Sequence, residues 1–195
     1  TQISTLDVAA DNAATGADLL TTAEENYTLL TDHLNRIRDL TEQAANGTYG
    51  SASLKAIQSE VYARLQEIDR IAANSEFNGI KLMSFVDTTK TPGTGMTKNG
   101  INLQIGLYSD KNSVINLDSS LFMSAKISGL FNAKVPAQSV VKTTPDGKAT
   151  TTAVKLDDAL KAAGGSVDKL NSDNGLKAFA AACSGLKYDS TKDSY

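Results

Sequence analysis

The sequence predicts an α+β chain, in which a long antiparallel α-helical hairpin of coiled-coil-like character precedes a β-hairpin and a small mixed region. Three observations carry this prediction. The four glycines of residues 1–83 (Gly16, Gly47, Gly50 and Gly79) are accompanied by no proline, whereas Pro92, Pro136, Pro145 and the remaining glycines all follow residue 84. Apolar residues in the first part recur at helical steps of three and four. Beyond residue 100 the period changes to two.

The first helix is read from a stripe that starts at Leu6, Ala10, Ala13, Ala17 and Leu20, and continues through Ala23, Tyr27, Leu30, Leu34, Ile37, Thr41 and Ala44. A stripe this long exceeds the usual globular helix and calls for a partner helix along its length. Alanine dominates its N-terminal part, which permits close approach but buries little area per residue. Asn46-Gly47 ends the helix, because glycine takes the left-handed conformation that follows a helix end. Ser51 or Ser53 is positioned to cap a second helix with Leu54, Ile57, Val61, Leu65, Ile68 and Ala72 on one face. So short a connection makes the two helices antiparallel neighbours. Asp32 with Arg36, and Glu60 with Arg64, are acid-before-base pairs one helical turn apart.

Alternation of Ile101, Leu103, Ile105 and Leu107 with Asn102, Gln104, Gly106 and Tyr108 predicts a half-buried strand. Ser109 to Ser113 is a polar turn, and Val114 to Leu117 the return strand. Asp87 to Gly100 and Thr143 to Thr152, rich in threonine, read as loops. Leu156 to Ala163 and Asn174 to Cys183 read as short helices, interrupted by Gly164-Gly165 and Asn174-Gly175.

Composition narrows the function classes. Twenty-two acidic residues against 19 basic give a formal charge of −3, with no basic footprint for nucleic acid or an anionic membrane. No run approaches the roughly 18 consecutive apolar residues of a membrane-spanning helix. Thr1-Gln2-Ile3-Ser4 has no basic and apolar leader behind it, so no cleaved signal peptide is read. Helical periodicity is already running there, and both ends read as trimmed.

No catalytic constellation is read. A His-Glu-x-x-His zinc site needs two histidines, and His33 stands alone as an exposed helix residue. Pro92-Gly93-Thr94-Gly95-Met96 lacks the Gly-Lys-Ser/Thr continuation of a phosphate loop. Asp157-Asp158 and Glu24-Glu25 are adjacent on helices and do not face one another. Asn46-Gly47-Thr48 fits a glycosylation pattern but is explained by the interhelical turn. Cys183, the single cysteine, reads as a small buried residue. No cofactor and no metal are expected.

Leu34 to Gly47 (LNRIRDLTEQAANG), Ile57 to Val61, Arg64 to Ala72 (RLQEIDRIA), Glu76 to Met83 (EFNGIKLM) and Leu19 to Glu24 together resemble bacterial flagellin, in one register over about residues 3 to 83. The strand pair followed by Ile127-Ser128-Gly129-Leu130 is compatible with the same family. The resemblance implies a helical rod segment at 1–83, a β-hairpin with connecting loops at 84–130, and a variable outer region at 131–195. It implies a non-enzymatic structural subunit of the extracellular filament, exported without a cleaved signal peptide. Partners would be other flagellin subunits and the flagellar type III export machinery with its chaperone. Lacking the terminal inner-tube segments, the chain is expected not to polymerise, and part of its apolar stripe to stand exposed. O-linked sugars on outer threonines would also fit the family.

The resemblance further implies a ligand of the vertebrate Toll-like receptor that senses flagellin. The family's receptor-contacting Arg, Leu and Glu fall on Arg36, Leu40 and Glu60, with Asn35 and Gln43 beside them; Asn35 stands where many flagellins have Gln. Arg36, Leu40 and Gln43 share a helix face, and Leu40 is expected to be exposed. A hook–filament junction protein, which shares such a rod, and an adhesin built on the outer region remain alternatives. A glycan array on residues 84–195 would discriminate the latter.

Overall fold

Long uninterrupted helical periodicity produces long helices. In the computed structural model α1 spans Gln2–Ala45 and α2 spans Ser51–Asn74. The residues described are 2–84, 100–106, 113–117, 122, 125–132, 138–143, 149–154, 156–166 and 169–195; side chains are described for all of these but 2, 131–132, 138–143, 149–154 and 156–157. The expected loop Asp87–Gly100 and most of the turn Ser109–Ser113 lie outside them.

α1 ends where expected. Asn46 N–H donates to the Gln43 carbonyl at 3.2 Å, and Gly47 adopts a φ of 67°. α2 begins one residue before a Ser51 cap would place it: Ser51 is its first residue, and Leu54 N–H already donates to the Gly50 carbonyl at 3.1 Å. The two helices run antiparallel. Arg36 meets Glu60 in the region nearer the turn, and Asn26 Nδ2 donates to Ser75 Oγ at 3.0 Å farther from it.

The predicted seam of α2 is its buried face: Val61, Leu65, Ile68 and Ala72 have no exposed area and Ile57 is buried. Each of the larger aliphatic side chains there contributes about 1.5–3 kcal/mol by leaving water. The seam of α1 differs from expectation in its first half. Ala9, Leu19 and Ala23 are buried, with Gly16 between them, while Leu6 is 52% and Leu20 41% exposed. The physical reason sits at Gly16, where an added Cβ would run into the Leu103 side chain. The smallest residue thus marks the face that another element approaches closely, and the buried row shifts by one position from the one read by hydrophobicity. From Leu30 onward expectation and structure agree in part: Leu30 and Ile37 are buried, but so is Leu40 beside the predicted row, while Leu34, Thr41 and Ala44 are half-buried.

The chain divides into two units, one of residues up to Asp32 with Arg70–Lys126, the other of His33–Asp69 with Ile127–Tyr195. In the first unit, β1 (Glu76–Phe77) and β2 (Ile80–Lys81) form a tight hairpin. Asn78 and Gly79, at φ of 49° and 80°, are its turn residues, the pairing that a two-residue turn of this twist demands. β3 (Ile101–Gln104) and β4 (Val114–Leu117) pair antiparallel with Leu103 opposite Ile115, as the alternation predicts. Asn12 of α1 holds this hairpin, its Nδ2 donating to the Gln104 carbonyl at 2.8 Å.

In the second unit a short helix, α3 (Ile127–Asn132), starts with Ile127 N–H donating to Asp69 Oδ1 at 2.7 Å. β5 (Gln138–Thr143) and β6 (Ala149–Val154) pair antiparallel over six residues each. Thr143 to Thr152 is therefore mostly strand rather than loop on either side of 144–148. Its threonines are polar enough to resemble a loop, yet β-branching suits them to a paired strand.

α4 (Leu156–Ala162) and α5 (Asp173–Ser184) complete the chain. Gly164, at φ of 97°, ends the α4 region as expected. Asn174-Gly175 does not interrupt a helix but opens α5: Ser172 caps it, its Oγ accepting from Gly175 N–H at 3.1 Å. One face of α5, with Ala178 and Ala181, packs against Ala163 and Tyr188.

Candidate protein-interaction site

Of the family-implied residues, the structure brings Arg36 and Glu60 together. They come from facing helices, Arg36 Nε lying 2.9 Å from Glu60 Oε1 and Nη2 3.2 Å from Oε2. The two parallel bonds match a planar guanidinium to a carboxylate, the geometry for which arginine is suited and lysine is not. Arg64 completes the group, with Nε and Nη2 at 3.1 and 3.0 Å from Glu60 Oε1. Bonding to Arg36 first, and then to Arg64, holds the Glu60 carboxyl below the usual range, so it is ionised at neutral pH. Arg36 takes this cross-helix partner rather than forming the expected pair with Asp32 one turn away.

His33 belongs to the same group. Arg64 Nη1 lies 3.3 Å from His33 Nδ1, so His33 is half-buried against a guanidinium, not exposed as its sequence position suggests. The Arg64 spacing from Glu60 is legible as an i,i+4 pair; the approach of His33 from the other helix is not.

Asn35 and Gln43 are exposed, as expected. Leu40 is not. It is 2% exposed, which overturns its reading as the accessible apolar member of the patch. Leu40 lies two helical turns after His33, which meets Arg64 of α2, so it falls on the face of α1 turned toward α2 rather than outward. Cys183 of α5 is half-buried, and burial pushes its thiol up to about 11, while the Thr41 hydroxyl of α1 donates to the Ile37 carbonyl at 2.8 Å. Farther along α5, Asp173 accepts a short hydrogen bond from the Tyr62 hydroxyl of α2, and Gln66 Nε2 donates to the same hydroxyl at 2.8 Å. α5 thus meets α2 at Tyr62, and Leu176, Phe179 and Ala180 are among its buried residues.

Lys177 anchors the exposed edge of α5. Its Nζ sits 3.1 Å from Asp173 Oδ2 and 2.6 Å from Asp193 Oδ1, within about 6 Å of the Tyr62 and Tyr188 rings. The Tyr188 hydroxyl donates to Asp193 at 2.9 Å, tying the C-terminal turn to the helix.

The first unit has an open groove of about 470 Å³ floored by Leu20, Ala23, Tyr27 and Phe122 and edged by Glu24 and Asp32. Among the described residues no group of His, Cys, Asp and Glu is arranged to hold a metal ion, and no helix is long and apolar enough to cross a membrane. Arg36 and Glu60 present a charged, hydrogen-bonded and half-exposed surface.

Comparison with known proteins gives these helices relatives. The family model of the bacterial flagellin N-terminal helical region matches residues 1–88. A flagellin of Salmonella muenchen is 33% identical over 161 residues, 82% of this chain and 30% of that protein. The phase 1 flagellin of Salmonella naestved is 32% identical over 136 residues, 70% of this chain and 24% of that protein. A solved structure of FliC from Burkholderia pseudomallei is 26% identical, with a TM-score of 0.45, covering 66% of this chain and 42% of that one. The chain spans at most about a third of the length of these curated relatives. By its long N-terminal helices, this chain belongs to the bacterial flagellin family.

Proposed function

We propose that the chain is part of a non-enzymatic structural subunit of the extracellular flagellar filament, with other flagellin subunits as its principal partners. The observation that carries this reading is the antiparallel pair α1 and α2, matched to the flagellin helical region through residue 88. A filament needs stiff elements that pack side by side and repeat without closing. Helices with a narrow apolar seam and charged flanks suit that use. In this reading residues 1–83 form the rod segment, residues 84–130 its hairpin-bearing extension and 131–195 the variable outer region. Delivery is through the flagellar type III export machinery and its chaperone. The test is a graft: residues 2–74 replace the corresponding helices of a Salmonella flagellin in a strain lacking its own. Filaments visible by electron microscopy, with swimming restored, are expected; secreted but unpolymerised chimera would overturn the assignment.

The same reading makes Arg36 and Glu60, with Leu40, Asn35 and Gln43, the contact residues for the Toll-like receptor that senses flagellin. Support comes from the bidentate Arg36–Glu60 pair, which stands half-exposed with side chains at 42% and 36%. A reporter-cell assay tests it: Arg36→Ala and Glu60→Ala should each abolish activation, and unchanged signalling would remove the receptor from the reading.

A further inference from the structure

Asparagine followed by glycine is the step at which a backbone amide most readily attacks the preceding side chain, because glycine brings no Cβ to shield its nitrogen. Four such steps occur in the chain, and three of them, Asn46-Gly47, Asn78-Gly79 and Asn174-Gly175, lie wholly within the described residues. Their surroundings differ. At Asn46-Gly47, which closes α1, residues 45–50 are all exposed. Nothing among the described residues accepts from the Gly47 N–H, and a Cβ added at Gly47 or Gly50 would meet nothing within 4 Å. At Asn78-Gly79 both residues are exposed, but the turn is held between paired strands. Leu82 N–H on the Ser75 carbonyl at 3.0 Å and Lys81 Nζ 2.6 Å from Glu76 Oε2 close it. At Asn174-Gly175 the attacking group is occupied: Gly175 N–H donates to Ser172 Oγ, and Asn174 Oδ1 accepts from the Tyr188 hydroxyl at 3.0 Å.

We infer that Asn46 is a site of spontaneous modification, converting through a succinimide to isoaspartate and aspartate, while the same dipeptide at Asn174 is held inert by its fold. Water supplies the base and the second reactant. Hydroxide removes the Gly47 N–H proton, the nitrogen bonds to Asn46 Cγ, and the Cγ–Nδ2 bond breaks, Nδ2 leaving as ammonia with a proton taken from water. One water molecule then opens the imide ring at either carbonyl, and nothing is oxidised or reduced. Ring closure requires the Asn46 side chain to fold onto the Gly47 nitrogen. The open turn permits that rotation, whereas the bonds to Ser172 and Tyr188 oppose it at Asn174. The product alters the hairpin: a new carboxylate at the end of α1 faces the partial negative charge of the last helix carbonyls, and isoaspartate adds a methylene to the main chain of the turn.

Peptide mapping reads the three sites separately, since Arg38, Lys55, Arg70, Lys81, Lys169 and Lys177 place each in its own tryptic peptide. The folded protein is kept warm at mildly alkaline pH, and exchange of NH2 for OH at each asparagine is followed by mass spectrometry, with isoaspartate labelled by an isoaspartyl methyltransferase. Asn46 is expected to convert at least roughly tenfold faster than Asn174, which reacts only from molecules whose helix cap has opened. Asn78 should fall between them. In concentrated urea, where cap and hairpin are lost, the three rates should converge. Equal rates at Asn46 and Asn174 in the folded protein overturn the inference. A ratio that survives in urea overturns it too, by placing the difference in the flanking sequence rather than in the fold.

A variant tests the cause directly. Ser172→Ala frees the Gly175 N–H, with circular dichroism confirming that the helices persist. Asn174 should then convert several times faster than in the parent, while Asn46 keeps its rate. An unchanged Asn174 rate overturns the capping bond as its protection.

Discussion

The two ends of α1 obey the same helical period but meet different fates. Around Ile37 and Leu40 the apolar face is buried, while at the N-terminal end Ile3 is 75%, Leu6 52% and Val8 55% exposed. Periodicity therefore reports that a face is apolar, not that something covers it. Cover depends on other elements: Ile57, Val61, Leu65 and Ile68 of α2 in the second unit, and β3 at Gly16 in the first.

Core truncation tests that contrast most severely. Leu65→Ala removes a side chain with no exposed area, and should cost about 2–5 kcal/mol by transfer loss and cavity formation. Leu6→Ala, at the exposed end, should change stability by less than about 0.5 kcal/mol. Urea denaturation followed by circular dichroism measures both; similar losses would show that Leu6 is covered in solution. Next in size is Gly16→Val, which drives added carbons into Leu103 and should cost about 1–3 kcal/mol by overpacking. Stability equal to the parent would mean that β3 does not rest on α1 there.

The elements legible in the sequence are those with a strong local signal. α2 carries large aliphatic residues on a single face, so spacing alone assigns Ile57, Val61, Leu65 and Ile68 to the core, where they are buried. The N-terminal half of α1 is so rich in alanine that several faces are nearly equivalent, and only Gly16 marks the one approached closely. β5 and β6 escape notice because polar threonines disguise a strand. In the candidate site, Arg36 and Glu60 are placed by family motif, but their pairing is not legible, since the sequence offers Arg36 a partner one turn away in Asp32 and the bond is made across the helices. The half-burial of His33 is not legible, since it arises from Arg64, a residue remote in sequence, and Leu40 is missed because the row chosen by hydrophobicity passes beside it.

A pH scan separates the α5 contact from the rest of the hairpin. Burial raises Cys183 from 9.0 to about 11, and burial with the Asp173 bond raises Tyr62 from 10.0 to about 12. A group whose folded pKa is raised contributes fully below its ordinary value and loses that contribution as pH climbs through the folded one. α5 should therefore loosen between about pH 9 and 12, seen as rising tyrosine ionisation and thiol reactivity while α1 and α2 keep their helical signal. On the acid side the signs reverse. Asp173, held low by Tyr62, and Glu60, held low by Arg36, contribute above their ordinary 3.8 and 4.5 and lose it as pH falls below those values. Coincident loss of all signals in the alkaline range would deny α5 a separate tether.

One small expected effect on stability bears on function. Arg36→Ala breaks both bonds to Glu60, yet those side chains are 42% and 36% exposed, and ion pairs in such solvent contact contribute little to stability. Arg64 remains within 3.0 Å of Glu60, so the carboxylate keeps a cationic partner after the substitution. Thermal denaturation should consequently shift little, far less than for Leu65→Ala, while receptor activation is lost. A large fall in stability would instead place the Arg36–Glu60 pair among the structural supports of the hairpin. Loss of signalling would then report unfolding rather than a missing contact. A near-neutral outcome would leave Arg36 available for the proposed recognition role, since the helices would then not depend on it.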